Sequence, residues 1–163
     1  MPIKVGATLT GGVTATIDRG RTTFVFETPT LVDLPQGTSS GSADIVFSDT
    51  RTLATNTNED LDLAGGVSDV FGVTRTFVKV KAIRLKAAAA NTTTLVVGNG
   101  TNPFVGPFGA GTHTLSLAAG GEILLTAPAA GWTVTAGSAD VIKVTNPAGA
   151  SATYDVDIIG TSA

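Results

Sequence analysis

Residues 48–65, "SDTRTLATNTNEDLDLAG", gather Asp49, Arg51, Asn56, Asn58, Glu59, Asp60 and Asp62 at a density of acids and amides found nowhere else in the chain. Oxygen ligands spaced two apart are what a hard cation such as calcium takes. With Asn58, Asp60 and Asp62 at the first, third and fifth positions of a calcium loop, Asp69 falls at the twelfth. The sixth position, where the sharp turn demands glycine, is Leu63. A glycosidase pair is the other chemistry open to such acids, and it needs two carboxyls converging across a cleft, one of them in apolar surroundings. Glu59 and Asp60 are adjacent, and adjacent residues of a strand point to opposite faces. Asp60 and Asp62 also alternate with Leu61 and Leu63, the pattern of a strand with a wet outer face. The stretch therefore reads as a solvated β edge, with no catalytic and no metal-ligating residues.

Other reactive types are sparse. "GTSSG", 37–41, matches the G-x-S-x-G pattern with Ser39 at the nucleophile position, but that motif works on a turn from a strand into a helix. Here Pro35 precedes it and β-like residues follow, so a Gly/Ser linker is predicted. His113 is the only histidine and the only imidazole base available; alone it builds no histidine metal cluster. "GNGTNPFVGPFGAG", 98–111, is glycine-rich without the strand, G-x-G-x-x-G and helix order of a dinucleotide loop. Its Phe104 and Phe108 must bury themselves under the domain or against a partner. With one Trp and one Tyr, no row of sugar-stacking rings can be assembled, and Trp132 reads as a core position. No cofactor is expected.

The elements that carry these residues follow from the composition. A chain of 163 residues has room for one domain with a real core. Charged residues are only 14%, and threonine, serine and glycine fill the surface instead, which suits a subunit of an assembly better than a lone monomer. The net charge of −3 and the dispersed bases argue against a nucleic-acid partner. There is no cysteine, no eighteen-residue apolar run and no secretory h-region, so synthesis in a cytoplasm and no membrane span are expected.

Short alternating runs between glycine-rich breaks include 13–17, 22–27, 43–48, 94–98, 113–118, 122–126, 132–136, 140–145 and 154–160. Period two with Val, Thr and Ile is strand patterning, and many short strands with Gly/Pro turns give an all-β antiparallel sandwich or barrel. In the last run Tyr154, Val156 and Ile158 share one face while Asp155 and Asp157 share the other. "RTFVKVKAIRLKAAAAN", 75–91, has a helix-forming composition, yet Val78 and Val80 are out of phase with Ile83 and Leu85. A long strand bulged near Ala82 resolves the phase. Residues 28–43, with two prolines and a Gly/Ser cluster, read as an extended connection or an arm, placing Leu31 and Leu34 beside Phe104 and Phe108 as candidate interface residues.

From about Asp44 onward the chain resembles a family of small structural head proteins of tailed bacteriophages. The blocks that carry the resemblance include residues 48–66, "TFVKVKAIRLKAAAANTTTLVVG" at 76–98, "NPFVGPFG" at 102–109, "GWTVTAGSADVIKVTN" at 131–146 and "SATYDVDIIGTSA" at 151–163. The resemblance implies a jelly-roll-like sandwich on the capsid exterior of a virion, a homo-oligomer of trimer type seated on the shell of major capsid protein, with no enzymatic activity. A capsid decoration, or cement, protein is the leading reading. The alternatives are a head-fibre or tail component, or a receptor- or carbohydrate-binding module.

Overall fold

The computed structural model describes residues 7–18, 23–68, 72–147 and 149–163, with side chains from residue 32 onward. All regular structure among them is β. β1 (Ala7–Asp18) and β2 (Thr23–Leu34) pair with each other in a two-stranded sheet. β3 (Ile45–Leu53) and β4 (Thr57–Asp62) follow, then the short β5 (Val67–Ser68) and β6 (Thr74–Arg75), which pair with each other. The chain continues through β7 (Lys79–Ala87), β8 (Leu95–Gly98), β9 (Thr114–Leu117) and β10 (Glu122–Thr126), and ends with β11 (Trp132–Thr133), β12 (Val141–Asn146) and β13 (Ala152–Thr161). One main sheet has the order β10-β7-β13-β3, with β11 also on β7; the other has the order β4-β12-β8-β9.

Every ladder is antiparallel, and the ladders are nested. β3 pairs with β13, β4 with β12, β7 with β10, and β8 with β9. The eight strands thus form one long hairpin whose tip is β8–β9 and whose arms wind together from sheet to sheet. The inward rows meet as a sandwich core: Phe47, Ile83, Leu85, Tyr154, Val156 and Ile158 from one sheet, Leu61, Leu95, Val97, Ile142 and Val144 from the other. Full burial of each aliphatic side chain contributes about 1.5–3 kcal/mol, so the alternation seen in the sequence is the main source of stability. Asp155 and Asp157 lie on the opposite face from Tyr154, Val156 and Ile158, as the period-two reading predicts.

The phase conflict in β7 is resolved where it was expected. Ile159 of β13 pairs with Ala82 but Gly160 pairs with Val80, leaving Lys81 as the extra residue of a bulge. On the other side of β7, Thr126 pairs with Ala82 and Trp132 with Val80, and between them the Lys81 carbonyl accepts from Ala127 N–H at 2.8 Å. Val80, Ile83 and Leu85 consequently all enter the core. Val78 does not; it is exposed ahead of the strand. The strand itself spans 79–87 rather than the whole of 75–91.

Two expectations are corrected. Residues 28–34 are not a connection but the second half of β2, in which Pro29 pairs with Gly12. A two-stranded sheet accommodates proline because half of the backbone nitrogens on each strand face away from the partner. The irregular segment is shorter, 35–44, held by bridging of Gln36 to Ala43. The run 132–136 forms only a two-residue strand; Thr135 then turns back to bridge Ala139.

Candidate functional site

The acid-rich stretch folds into the end of β3, a turn, and β4, and alternation divides its charges between two faces. Asp49 and Arg51 share the inward row of β3 with Phe47, and Glu59 shares the inward row of β4 with Leu61. They meet where the two sheets end, at the β3 and β4 edges. Arg51 Nε is 3.0 Å from Asp49 Oδ2 and 3.9 Å from Glu59 Oε2, while its guanidinium carbon lies 5.8 Å from the Phe47 ring centroid, within cation–π range. The Asp49 contact is an ion pair without hydrogen-bond alignment, since Arg51 Nε is buried and makes no hydrogen bond. Tyr154, fully buried on β13, donates its phenol across the sandwich to Glu59 Oε1 at 2.6 Å. The charges pair within the chain, and what they do is close the open edge of the core.

Burial, and secondarily the Glu59 carboxylate that accepts its proton, hold the Tyr154 phenol far above its ordinary range. In the unfolded chain it ionises at about pH 10. The stabilisation is therefore complete below that pH and is lost as pH rises beyond it, because only the unfolded state releases the proton there. Tyr154 is the only tyrosine. Tyrosinate absorbance is thus expected to appear only together with the fluorescence change of Trp132 on unfolding; a phenol that titrates near pH 10 in the folded protein would contradict the buried bond.

The outer face of the β10-β7-β13-β3 sheet carries a second polar constellation. Ser48 Oγ donates to Asp157 Oδ1 at 2.6 Å, Thr50 Oγ1 to Asp155 Oδ1 at 2.8 Å, and Thr52 and Thr153 share a hydroxyl bond of 2.9 Å. Arg84 spans two strands, with Nε 2.9 Å from Glu122 Oε1 and an Nη 2.8 Å from Asp157 Oδ2. These bonds push the guanidinium further above its already high range. Ser48, Thr50, Arg84, Asp155 and Asp157 line an open groove of about 500 Å³ together with Asp49. Cross-strand register explains the pattern: Arg84 opposes Asp157, and Lys86 opposes both Asp155 and Glu122. Arg84 and Lys86, two of the four basic residues of β7, thus face acids on the neighbouring strands.

Chemically the groove is a set of satisfied pairs. The Ser48 hydroxyl is committed to a carboxylate that an arginine already neutralises, which is not an activating base. The sole histidine is engaged elsewhere, with His113 Nδ1 2.7 Å from the Phe108 carbonyl oxygen. Because the partly exposed pairs are screened, their contribution is geometric, fixing a rigid face, more than energetic.

Ser39 lies in a turn, its carbonyl accepting from Ser42 N–H, and not at a strand-to-helix elbow. The neighbouring residues dock the segment. The Ala129 carbonyl accepts from Gly41 N–H at 3.1 Å, Ser40 Oγ at 3.2 Å and Lys81 Nζ at 2.6 Å. Lys81, the bulge residue, is 1% exposed. Desolvation, with a smaller repulsion from Lys79, lowers its pKa. Nothing in the sequence marks Lys81 as buried except the phase break itself.

As for the calcium reading, Leu63 is fully buried and Asp62 Oδ1 accepts from Ala64 N–H at 2.8 Å in a tight turn, while Asp60 and Asn58 are exposed. Asp69 lies outside the described residues. Among the described residues no group of three or more His, Cys, Asp or Glu side chains is placed to hold a metal ion.

The four interface candidates separate. Phe104 is 1% exposed inside the sandwich core, where backbone bonding of Phe104 N–H to Val141 O pulls the loop under; it offers nothing to a neighbour, and its interface role is withdrawn. Phe108 is half-buried and packs on the same core. Leu34 is fully buried, but against the outer face of the β7–β13 pair, in a small cluster with Val32, Ala43, Ala82 and Ile159 and with Val46 beside it. The Leu31 side chain lies outside those described. The outer face is therefore divided: a polar row at Ser48, Asp157 and Arg84, and next to it an apolar row at Val46, Ile159 and Ala82 onto which the β2 end is docked. No protein-family model, curated protein or solved structure matches this chain.

Proposed function

We propose that this chain is a non-enzymatic virion structural protein, a capsid decoration protein that binds the exterior of an assembled phage head as a homo-oligomer. The observation that supports this reading most is the division of labour in the fold: a sandwich whose outer polar row is tied by cross-strand pairs, and an N-terminal two-stranded sheet, β1–β2, that forms no ladder with either main sheet. An isolated two-stranded sheet is marginal in water, so such an element makes sense as one completed by partners. The nested pairing of the eight sandwich strands supports the jelly-roll part of the reading. A protein that binds only the assembled lattice stabilises it by mass action, which is what a head under internal pressure requires.

The test uses heads imaged with the full chain and with a chain lacking residues 1–31. The cut falls before Val32 because Val32, Leu34 and Ala43 cover Ala82 and Ile159. The full chain is expected to occupy regular positions on the shell, and the shortened chain to stay folded but lose occupancy at least about tenfold, equivalent to about 1.4 kcal/mol. Density for the full chain on tails only, or undiminished occupancy of the shortened chain, would refute the assignment.

A further inference from the structure

We propose that β10, the edge strand of the β10-β7-β13-β3 sheet, joins two copies of this chain by pairing antiparallel with the β10 of the second copy. The sheet order ends at β10, and among the described residues no strand, the β1–β2 hairpin included, pairs with its far side. The backbone phase shows which groups are left there. Ala87 N–H donates to the Gly121 carbonyl and Ala127 N–H to the Lys81 carbonyl, and the register between these two bonds is continuous. Hydrogen-bonded and non-bonded pairs alternate in an antiparallel ladder, so Ile123 and Leu125 turn their N–H and C=O groups to β7 while Glu122, Leu124 and Thr126 turn theirs outward.

An open edge is a template for another strand, and natural sheets blunt such edges with charge, proline or brevity. The other edges of the sandwich follow that rule. β3 carries Asp49 and Arg51, β4 carries Glu59, Asp60 and Asp62, and β9 is short, with Thr114 and Ser116 exposed. β10 reads "EILLT". Its single charge is tied to Arg84 of its own sheet, and Ile123, Leu124 and Leu125 all keep partial exposure. Ile123 and Leu125 stand opposite Leu85 and Ile83, which are fully buried, so what leaves them open is the missing neighbour on the far side of the strand.

A second β10 fits this edge because the strand is complementary to itself. Antiparallel pairing centred on Leu124 sets Leu124 against Leu124, Ile123 against Leu125 and Glu122 against Thr126 of the other copy. Every pair then joins apolar to apolar or acid to hydroxyl, and no like charges meet. The outward groups of Glu122, Leu124 and Thr126 exchange about six hydrogen bonds across the two copies. Beyond Thr126 the chain turns through 127–131 before β11 rejoins β7, and the second copy presents Gly120 and Gly121 there, which have no side chain to obstruct it. β9, the edge of the second sheet, is joined to β10 by residues 118–121 and carries no charge, so the two sandwiches meet along this side without repulsion. Like edges pair about a two-fold axis, which gives a dimer and not the trimer that the resemblance implies. The inference rests on the homo-oligomer part of the reading above and names the strand that joins the copies.

Sedimentation of the purified full chain over a concentration series, without heads, tests it. The full chain is expected to reach a dimer of the 16.3 kDa subunit. Leu124→Pro removes an outward N–H that the β7 ladder does not use, which an edge strand tolerates, and Leu124→Lys sets two cations against each other at the two-fold axis. Both variants are expected to sediment as monomers that keep the circular-dichroism signal of the strands, and Asn58→Lys, on the β4 edge, to remain dimeric. If Leu124→Pro fails to fold, Leu124→Lys decides alone. A full chain that is monomeric at every concentration, a trimer, or a Leu124→Lys variant that stays dimeric overturns the inference. Monomers that still decorate heads would do so while leaving the decoration reading intact; a dimer that dissociates in the variants but never binds heads would do the opposite.

Discussion

Replacing Asn146 by alanine is expected to cost about 3–5 kcal/mol of folding stability, as much as emptying a large core position. Asn146 ends β12 and is completely buried. Its Nδ2 lies 3.2, 3.1 and 2.9 Å from the carbonyl oxygens of Leu53, Ala54 and Ala150, and its Oδ1 accepts from Thr93 Oγ1 at 3.0 Å. One amide thus joins the β3–β4 turn, the β12–β13 turn and the approach to β8, which belong to both sheets. Alanine removes all four bonds and leaves the partners to find water in a closed site, where an unsatisfied group costs about 1–3 kcal/mol. Asn146→Asp distinguishes this account from simple loss of volume. It keeps the shape but turns a carboxylate toward three carbonyl oxygens, so at neutral pH it is expected to be at least as damaging as alanine. Urea unfolding followed by Trp132 fluorescence measures both; a loss no larger than that of the exposed Asn58→Ala would remove Asn146 from this role.

The Asn146 network also shows where sequence reading stops. Its type and its place before Pro147 announce a turn, but the three carbonyls it serves are distant in sequence or belong to loops whose path only the folded sandwich defines. Local alternation, by contrast, is legible because strand geometry converts it directly into faces: Tyr154, Val156 and Ile158 against Asp155 and Asp157, Leu61 and Leu63 against Asp60. The bulge at Lys81 was legible for the same reason, as a break in phase. The pairing of Tyr154 with Glu59 was not, because it links strands from opposite sheets. Nor was the burial of Phe104, which sits in a run rich in proline and glycine; only its backbone bond to Val141 tells that it is folded under.

Gly160→Ala is expected to be as severe as Asn146→Ala, for a reason of space rather than of backbone conformation. Gly160 follows the point where β13 skips Lys81 and pairs with Val80. A Cβ there would fall on the Lys79 carbonyl oxygen, far inside van der Waals contact, and 2.7 Å from Cδ1 of the Phe77 ring. A flexible side-chain tip could swing aside, but a strand carbonyl can move only with its ladder, and Phe77 is itself buried in the core. Relief requires β13 to lift from β7 at the bulge. That movement disturbs both ends of the proposed machinery, because Ile159 supports Leu34, and Asp44 N–H donates to the Gly160 carbonyl at 3.0 Å. Overpacking usually costs 1–3 kcal/mol when side chains can adjust, and a backbone collision places this substitution at or above about 3 kcal/mol. A looser dock also predicts faster proteolysis of the hairpin at urea concentrations too low to unfold the sandwich. Gly137→Ala, where a Cβ meets nothing within 4 Å but φ is +73°, supplies the contrast, since its cost is confined to a strained turn of about 1 kcal/mol. If the two variants unfold at the same midpoint, the close approach of β13 to Lys79 is not what holds the bulge in register.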